Sequence, residues 1–239
     1  MRLLAIVVLL ASLAFVTAPL YTPPFMGFDP DQFPVPLADP AVQPAGYAFS
    51  IWSVIYLWLV IHAGYGLWKR AEDPAWNRVR VPLAVALVLG TVWLAIAGAS
   101  PQWATAVIWG MAVASLAAFL MARTEPDRWL LSAPLGIFAG WVTAASLVST
   151  GILLAGYGIT GNEEAAYDMM GVILILVPLI QSRKPRMPLY SLAVAWALVG
   201  IAVANWGSGT YVAWTALGIG AVVLLAAGWL WRRAGAQIP

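Results

Sequence analysis

The sequence predicts an all-α protein, a polytopic integral membrane bundle of about eight transmembrane helices. Three observations carry this. Of 239 residues, 62% are hydrophobic and only 9% are charged, against about 25% charged in a soluble domain. The apolar residues gather in runs long enough to cross a bilayer as helices. Every lysine and arginine falls at one set of run ends.

The first run covers residues 3–21. Met1-Arg2 before a long apolar stretch has the shape of a signal peptide. Pro19 directly follows Ala18 at the only small-residue site, so an uncleaved helix is expected. Residues 22–43 form a loop with prolines at 23, 24, 30, 34, 36 and 40, which exclude both helix and central strand. The same loop holds Phe25, Phe28 and Phe33 beside Asp29, Asp31 and Asp39. Two readings stand side by side: a solvated connector, or a lid across the bundle mouth that uses its phenylalanines. Asp29 and Asp31 lack the glycine and further ligands of a calcium loop.

Pro44 and Gly46 break the chain, and residues 47–68 then run for 22 positions without a formal charge. Phe49, Trp52 and Tyr56 recur at helical spacing and share one face; Ile55, Trp58, His62 and Tyr65 share another. Further spans are expected at 81–98, 103–121, 129 to about 154, about 165–181, 188–204 and 210–231. The sixth and seventh are short for a bilayer. No internal repeat of fixed period is present.

The charges test this count. Arg2, Lys69, Arg70, Arg78, Arg80, Arg123, Arg128, Arg183, Lys184, Arg186, Arg232 and Arg233 all fall at one set of ends, which is 12 of 12. The opposite connections hold only acids: Asp29, Asp31, Asp39, Glu163, Glu164 and Asp168. The positive-inside rule then puts both termini in the cytoplasm and the proline-rich loop outside. The basic connections are too short for nucleic acid, and topology with anionic lipid explains them better. Asp168, with Glu163 and Glu164, is expected to favour a helix N-terminus.

Tryptophan is abundant, at 14 residues, and interfacial belts explain only part of it. Trp52, Trp58, Trp93, Trp109, Trp141 and Trp196 lie within spans. Trp52, Trp93 and Trp109 fall roughly 8–9 Å below the outer ends at 1.5 Å per residue. Tyr56 is one turn deeper, and Trp141 deeper again. This arrangement fits core packing, and equally a pocket offering flat stacking faces to an apolar ligand. Gly136 and Gly140 form a small-xxx-small pair for close helix approach. Their partner, in the same chain or a second copy, is open.

His62 is the only histidine. A neutral imidazole bonded to a backbone carbonyl or a serine is the expected state, with axial ligation of a tetrapyrrole metal as the functional alternative. Cysteine is absent, which excludes disulfides and thiolate chemistry. No span holds a carboxylate pair or a nucleophile–histidine–acid set, and no phosphate loop is present, so a non-enzyme is expected.

Pro44-Ala-Gly-Tyr-Ala-Phe-Ser-Ile-Trp52, followed by Tyr56, resembles the second-helix signature of the TspO/translocator-protein family, and closest its bacterial tryptophan-rich sensory branch. Trp93, Trp109 and Pro134-Leu-Gly-Ile-Phe-Ala-Gly-Trp141-Val-Thr resemble matching positions of the third to fifth helices. The resemblance implies a five-helix bundle over residues 1–155, with a pocket under the first loop for porphyrins or other apolar ligands. The candidate ligand-binding set is Phe49, Trp52, Tyr56, Trp93, Trp109, Phe138 and Trp141. Residues 156–239 would add three helices. Three positions depart from the family pattern: Ser50 replaces a proline, and Gly90 and Ser149 replace asparagines whose amides would anchor a polar ligand edge.

Three functions are expected from these residues. The first is binding of a tetrapyrrole or similar flat apolar molecule, with a sensory, regulatory or trafficking role. The second is a structural or assembly subunit of a photosynthetic or respiratory membrane complex. The third is passive transport of an apolar solute, since embedded charge for ion coupling is scarce. The expected partners are the lipid bilayer and an apolar small molecule, with a homodimer or larger complex left open, and no nucleic acid.

Overall fold

The computed structural model describes residues 1–239 apart from 24, 26 and 237–239. The loop proline Pro24 and the chain end at Pro239 therefore lie outside the described residues. Among the described residues there are eight α-helices and no strand: α1 (Arg2–Thr17), α2 (Ile51–Trp68), α3 (Pro74–Ala99), α4 (Pro101–Met121), α5 (Ala133–Gly156), α6 (Asn162–Arg183), α7 (Leu189–Ala204) and α8 (Val212–Ala236). Seven are long and apolar enough to cross a membrane once flanking turns are included. The eighth, α7, has 16 residues and reaches only about 24 Å at 1.5 Å per residue. The expected all-helical bundle is what the chain forms, with eight helices of which seven have the length and composition of membrane spans.

Local chemistry sets the helix ends. Asp73 accepts a hydrogen bond from Ala75 N at 2.8 Å, with Pro74 at the first helical position. This N-cap starts α3 seven residues before the expected 81, so Arg78 and Arg80 are helical. Ser100 Oγ accepts from Trp103 N at the start of α4, behind Pro101. Glu164 accepts from Gly161 N at 2.9 Å. This fixes the start of α6 at Asn162, earlier than expected, and gives α6 its spanning length. Before α2, Gly46–Ser50 forms a 3-10 turn. Phe49 therefore leaves the α-helical face that Trp52 and Tyr56 share.

The helices surround α5. It is the most buried span, and it packs against α2, α4, α6 and α7. A single apolar core runs from Val8 on α1 to Val223 on α8. It crosses residue 155 without interruption. Glycine makes the tightest contact possible: a Cβ at Gly140 would lie 2.2 Å from the Tyr190 carbonyl oxygen and 3.0 Å from Ala193 Cβ. The partner of the Gly136–Gly140 face is thus α7 of the same chain, with Phe119 of α4 also close to Gly136.

Hydrogen bonds stitch the basic ends together. Arg70 donates to Asp127 through Nε at 2.8 Å and Nη2 at 3.1 Å, and the Trp76 indole donates to Asp127 Oδ2 at 2.8 Å. Arg80 is only 2% exposed. Its guanidinium donates to the carbonyls of Gly66, Arg70, Ala71 and Met1. The cation thus sits at the C-terminal end of α2, on Gly66 of its last turn and on Arg70 and Ala71 just beyond it, where a helix favours positive charge. Lys184 donates to the Ala122 carbonyl, and buried Gln181 donates to Lys184 O and Met187 O while accepting from Ser191.

The Arg70 hydrogen bond holds the Asp127 carboxyl below the ordinary carboxylate range, with the Trp76 indole adding to it. A depressed folded-state pKa stabilises the fold above the unfolded value of about 3.9 and is lost as pH falls through the folded value. Asp127→Asn is expected to lower the melting temperature at neutral pH. Its difference from the parent should shrink in acid, below about pH 4. Melting curves of both proteins across pH 3–7 check this.

Candidate functional site

A cavity opens between α1, α2, α3, α4 and α5, beneath the proline-rich loop. Its floor and walls follow from the helix faces. Trp52 and Tyr56, one turn apart on α2, stack at 5.3 Å and 19°. Phe15 of α1 meets both edge-on, at 5.7 and 5.0 Å. Trp141 of α5 stands edge-on to Trp52 at 6.2 Å and to Phe49 at 5.9 Å. Trp93 of α3 donates its indole N–H to Ala104 O of α4 at 2.9 Å, which locks its ring. The cavity volume is ≈ 230 Å³. A smaller space of ≈ 40 Å³ continues toward Val148 and Ala197, and shares Phe25, Phe49, Trp93 and Trp141 with the first. No charged side chain lines either space among the described residues.

Of the candidate residues, Phe49, Trp52, Tyr56, Trp93 and Trp141 come together around the cavity. Trp109 and Phe138 are not among its lining residues. The Trp109 indole donates to Thr150 Oγ1 at 2.9 Å, which turns its ring toward α5. Phe138 is wholly buried, 5.9 Å from Phe15 and 6.5 Å from Trp52, and supports the floor from behind. Sequence reasoning missed Phe15, Ile108 and Met111. Gly90 held the signal for Phe15. A Cβ there would lie 2.5 Å from the Phe15 ring, so the glycine exists to admit that ring.

The loop covers the opening. Pro23 and Phe25 line the cavity, and Phe25 sits edge-on to Trp93 at 4.9 Å. Phe28 lines the smaller space. Phe33 is buried where Gly156 leaves room for its ring. Strapping bonds hold the loop at distant points: Gln32 to Gly98 O, Val35 N to Gly156 O, Ala41 N to Asn162 Oδ1, and Asn205 Nδ2 to Ala41 O. A solvated connector would not bury Phe33 and half-bury Phe25 and Phe28 against the bundle, so of the two sequence readings the cover is the one the chain adopts.

One polar group on the wall lacks a partner. The Trp141 indole N–H is buried and has no hydrogen-bond acceptor among the described residues, and its residue borders both spaces. An unpaired buried donor costs about 1–3 kcal/mol, so a ligand acceptor placed there would recover it.

The chain matches the family model of the TSPO-like protein over residues 3–229. It belongs to the TSPO-like family. The match extends through α6, α7 and most of α8, beyond the five-helix portion that the sequence motifs mark. No curated protein and no solved structure matches this TSPO-like chain.

His62 of the TSPO-like chain lies away from this cavity. It is 2% exposed, stacks on Trp76 at 4.8 Å, and its Nδ1 meets Leu130 O at 2.7 Å. A carbonyl only accepts, so Nδ1 bears the proton. Trp58 likewise binds the Trp129 carbonyl at 2.8 Å. Both contacts tie α2 to the π-helical turn Arg128–Ser132 before α5.

Proposed function

We propose that this TSPO-like membrane protein is a non-enzymatic receptor for a flat, apolar molecule, a tetrapyrrole or a similar ring system, held in the aromatic cavity under the loop. The observation that carries the reading is the set of seven aromatic side chains from six segments that line one uncharged space. Its role would be sensory, regulatory or in ligand trafficking, in a bacterial inner membrane with both termini cytoplasmic. The volume of ≈ 230 Å³ lies below the roughly 300–1,000 Å³ of drug-sized sites. A tetrapyrrole therefore enters only when Phe25 swings aside, which would merge the two spaces that this ring borders.

Protoporphyrin added to the purified protein is expected to quench tryptophan fluorescence saturably, with low-micromolar or weaker affinity. Quenching that rises linearly without saturation would mark mere partitioning into detergent and overturn the reading. Topology has its own test. Reporters fused after Gln32 and after Glu163 should be external, and those after Arg78 and at Pro239 cytoplasmic. A cytoplasmic Gln32 reporter would reverse the orientation.

A further inference from the structure

At the opposite, basic end, three separate segments converge on a recess of ≈ 500 Å³. Glu125 and Arg128 come from the α4–α5 connection, Arg186 from the α6–α7 connection, and Trp231, Arg232 and Gly235 from the end of α8. Three arginines face one glutamate, which leaves two positive charges unmatched. Glu125 is already taken: its Oε1 lies 2.6 Å from Arg128 Nη2. Arg128 Nε is buried and has no acceptor among the described residues. Arg186 donates to the Ala234 carbonyl at 2.7 Å, which fixes it beside α8 but brings no countercharge. Near this recess, burial pushes the Lys184 ammonium below the ordinary lysine range, and the Arg78 charge adds to the shift. Among the described residues, Glu125 is the one acid lining the recess, and Asp127 nearby is held by Arg70.

We propose that this recess is a binding site for the headgroup of an anionic phospholipid, with phosphodiester oxygens meeting Arg128, Arg186 and Arg232. The two unmatched charges suit a doubly anionic lipid of the diphosphatidylglycerol type. Lipid rather than free phosphate is the occupant because the wall is amphipathic. Trp231, 51% exposed, lines the recess itself, and Trp229, outside the lining on the same helix end, is 52% exposed with Arg233 3.8 Å over its ring. Tryptophans at a helix end mark headgroup depth, so the glycerol and first acyl carbons have an apolar surface beside the arginines. Basic recesses between membrane helices hold such headgroups through charge and hydrogen-bond geometry.

Native mass spectrometry of the full chain in mild detergent tests this, with diphosphatidylglycerol, phosphatidylcholine or inorganic phosphate added. Diphosphatidylglycerol should bind at least fivefold tighter than phosphatidylcholine. Arg232→Gln and Arg186→Gln should each weaken it about fivefold, and Arg2→Gln should not. If Arg186→Gln fails to fold, because it frees the end of α8, Arg232→Gln and Trp231→Ala carry the test. Equal retention of both lipids, or undiminished binding in Arg232→Gln and Trp231→Ala, overturns the site. Displacement of the lipid by an equal concentration of inorganic phosphate would assign the arginines to a soluble anion and overturn the lipid assignment.

Discussion

Trp52→Ala and Tyr56→Ala are each expected to weaken protoporphyrin binding roughly tenfold or more, while Trp229→Ala leaves it unchanged. The two α2 rings stack 19° from parallel, with centroids 5.3 Å apart, so they act as one continuous apolar wall. Covering one aromatic face is worth on the order of 1–3 kcal/mol, and 1.4 kcal/mol is a factor of ten in affinity. Each ring also supports the other, so the double variant should lose less than the product of the two losses. Trp229 lies at the basic end of α8, remote from the cavity, and reports any general effect of losing a tryptophan. The titrations must be run on monodisperse protein, because Trp52 also contacts Phe15, Phe138 and Trp141. Unchanged affinity in both α2 variants would make the aromatic cluster core packing alone.

Gly140→Leu is expected to abolish the native bundle, the largest stability effect of any single change considered. The first atom added would already lie 2.2 Å from the Tyr190 carbonyl oxygen. That atom belongs to backbone, so no rotamer change relieves the clash; α5 and α7 must separate. Overpacking costs about 1–3 kcal/mol where side chains can adjust, and more where backbone must move. Gly136→Ala should be far milder, because its nearest neighbours are side-chain atoms of Phe119 and Met187 at 3.2 and 3.3 Å. Gly171→Ala, with nothing within 4 Å, should match the parent. Detergent melting curves and size-exclusion profiles distinguish the three. A monodisperse Gly140→Leu protein with the parental melting temperature would refute the α5–α7 contact.

That contact shows where sequence reasoning stops. Helix faces repeat every 3.6 residues, so the Trp52–Tyr56 face and the Gly136–Gly140 face were both legible. Which helix meets a given face depends on tertiary arrangement. The glycine partner, α7, lies about 50 residues further along the chain. For the same reason Phe15 was missed: it reaches the cavity only because Gly90, on another helix, yields the space. Phe49 was placed on the right wall by a face that the 3-10 turn Gly46–Ser50 interrupts. It reaches Trp141 across that turn. Arg80 looked like a loop cation. An aspartate cap and Pro74 drew it into α3, where the carbonyls of Gly66 in the last turn of α2 and of Arg70 just beyond it receive it. Charge asymmetry, by contrast, needs no tertiary knowledge, and it marked the basic ends correctly as one side of the bundle. Arg80 reaches Met1, Lys184 reaches Ala122 and Arg186 reaches Ala234 across it.

The most direct measurement of the central claim is the site of attachment of a photoactivatable flat heteroaromatic probe, bound to the purified protein with and without excess protoporphyrin. Mass spectrometry should find the label on residues of the cavity wall, on Phe49, Trp52 or Tyr56 and on Trp141 or Ala145, and excess protoporphyrin should remove it. Label confined to lipid-facing rings such as Trp103 and Trp214, or label on the cavity wall that protoporphyrin does not displace, would contradict a tetrapyrrole-class ligand in this cavity.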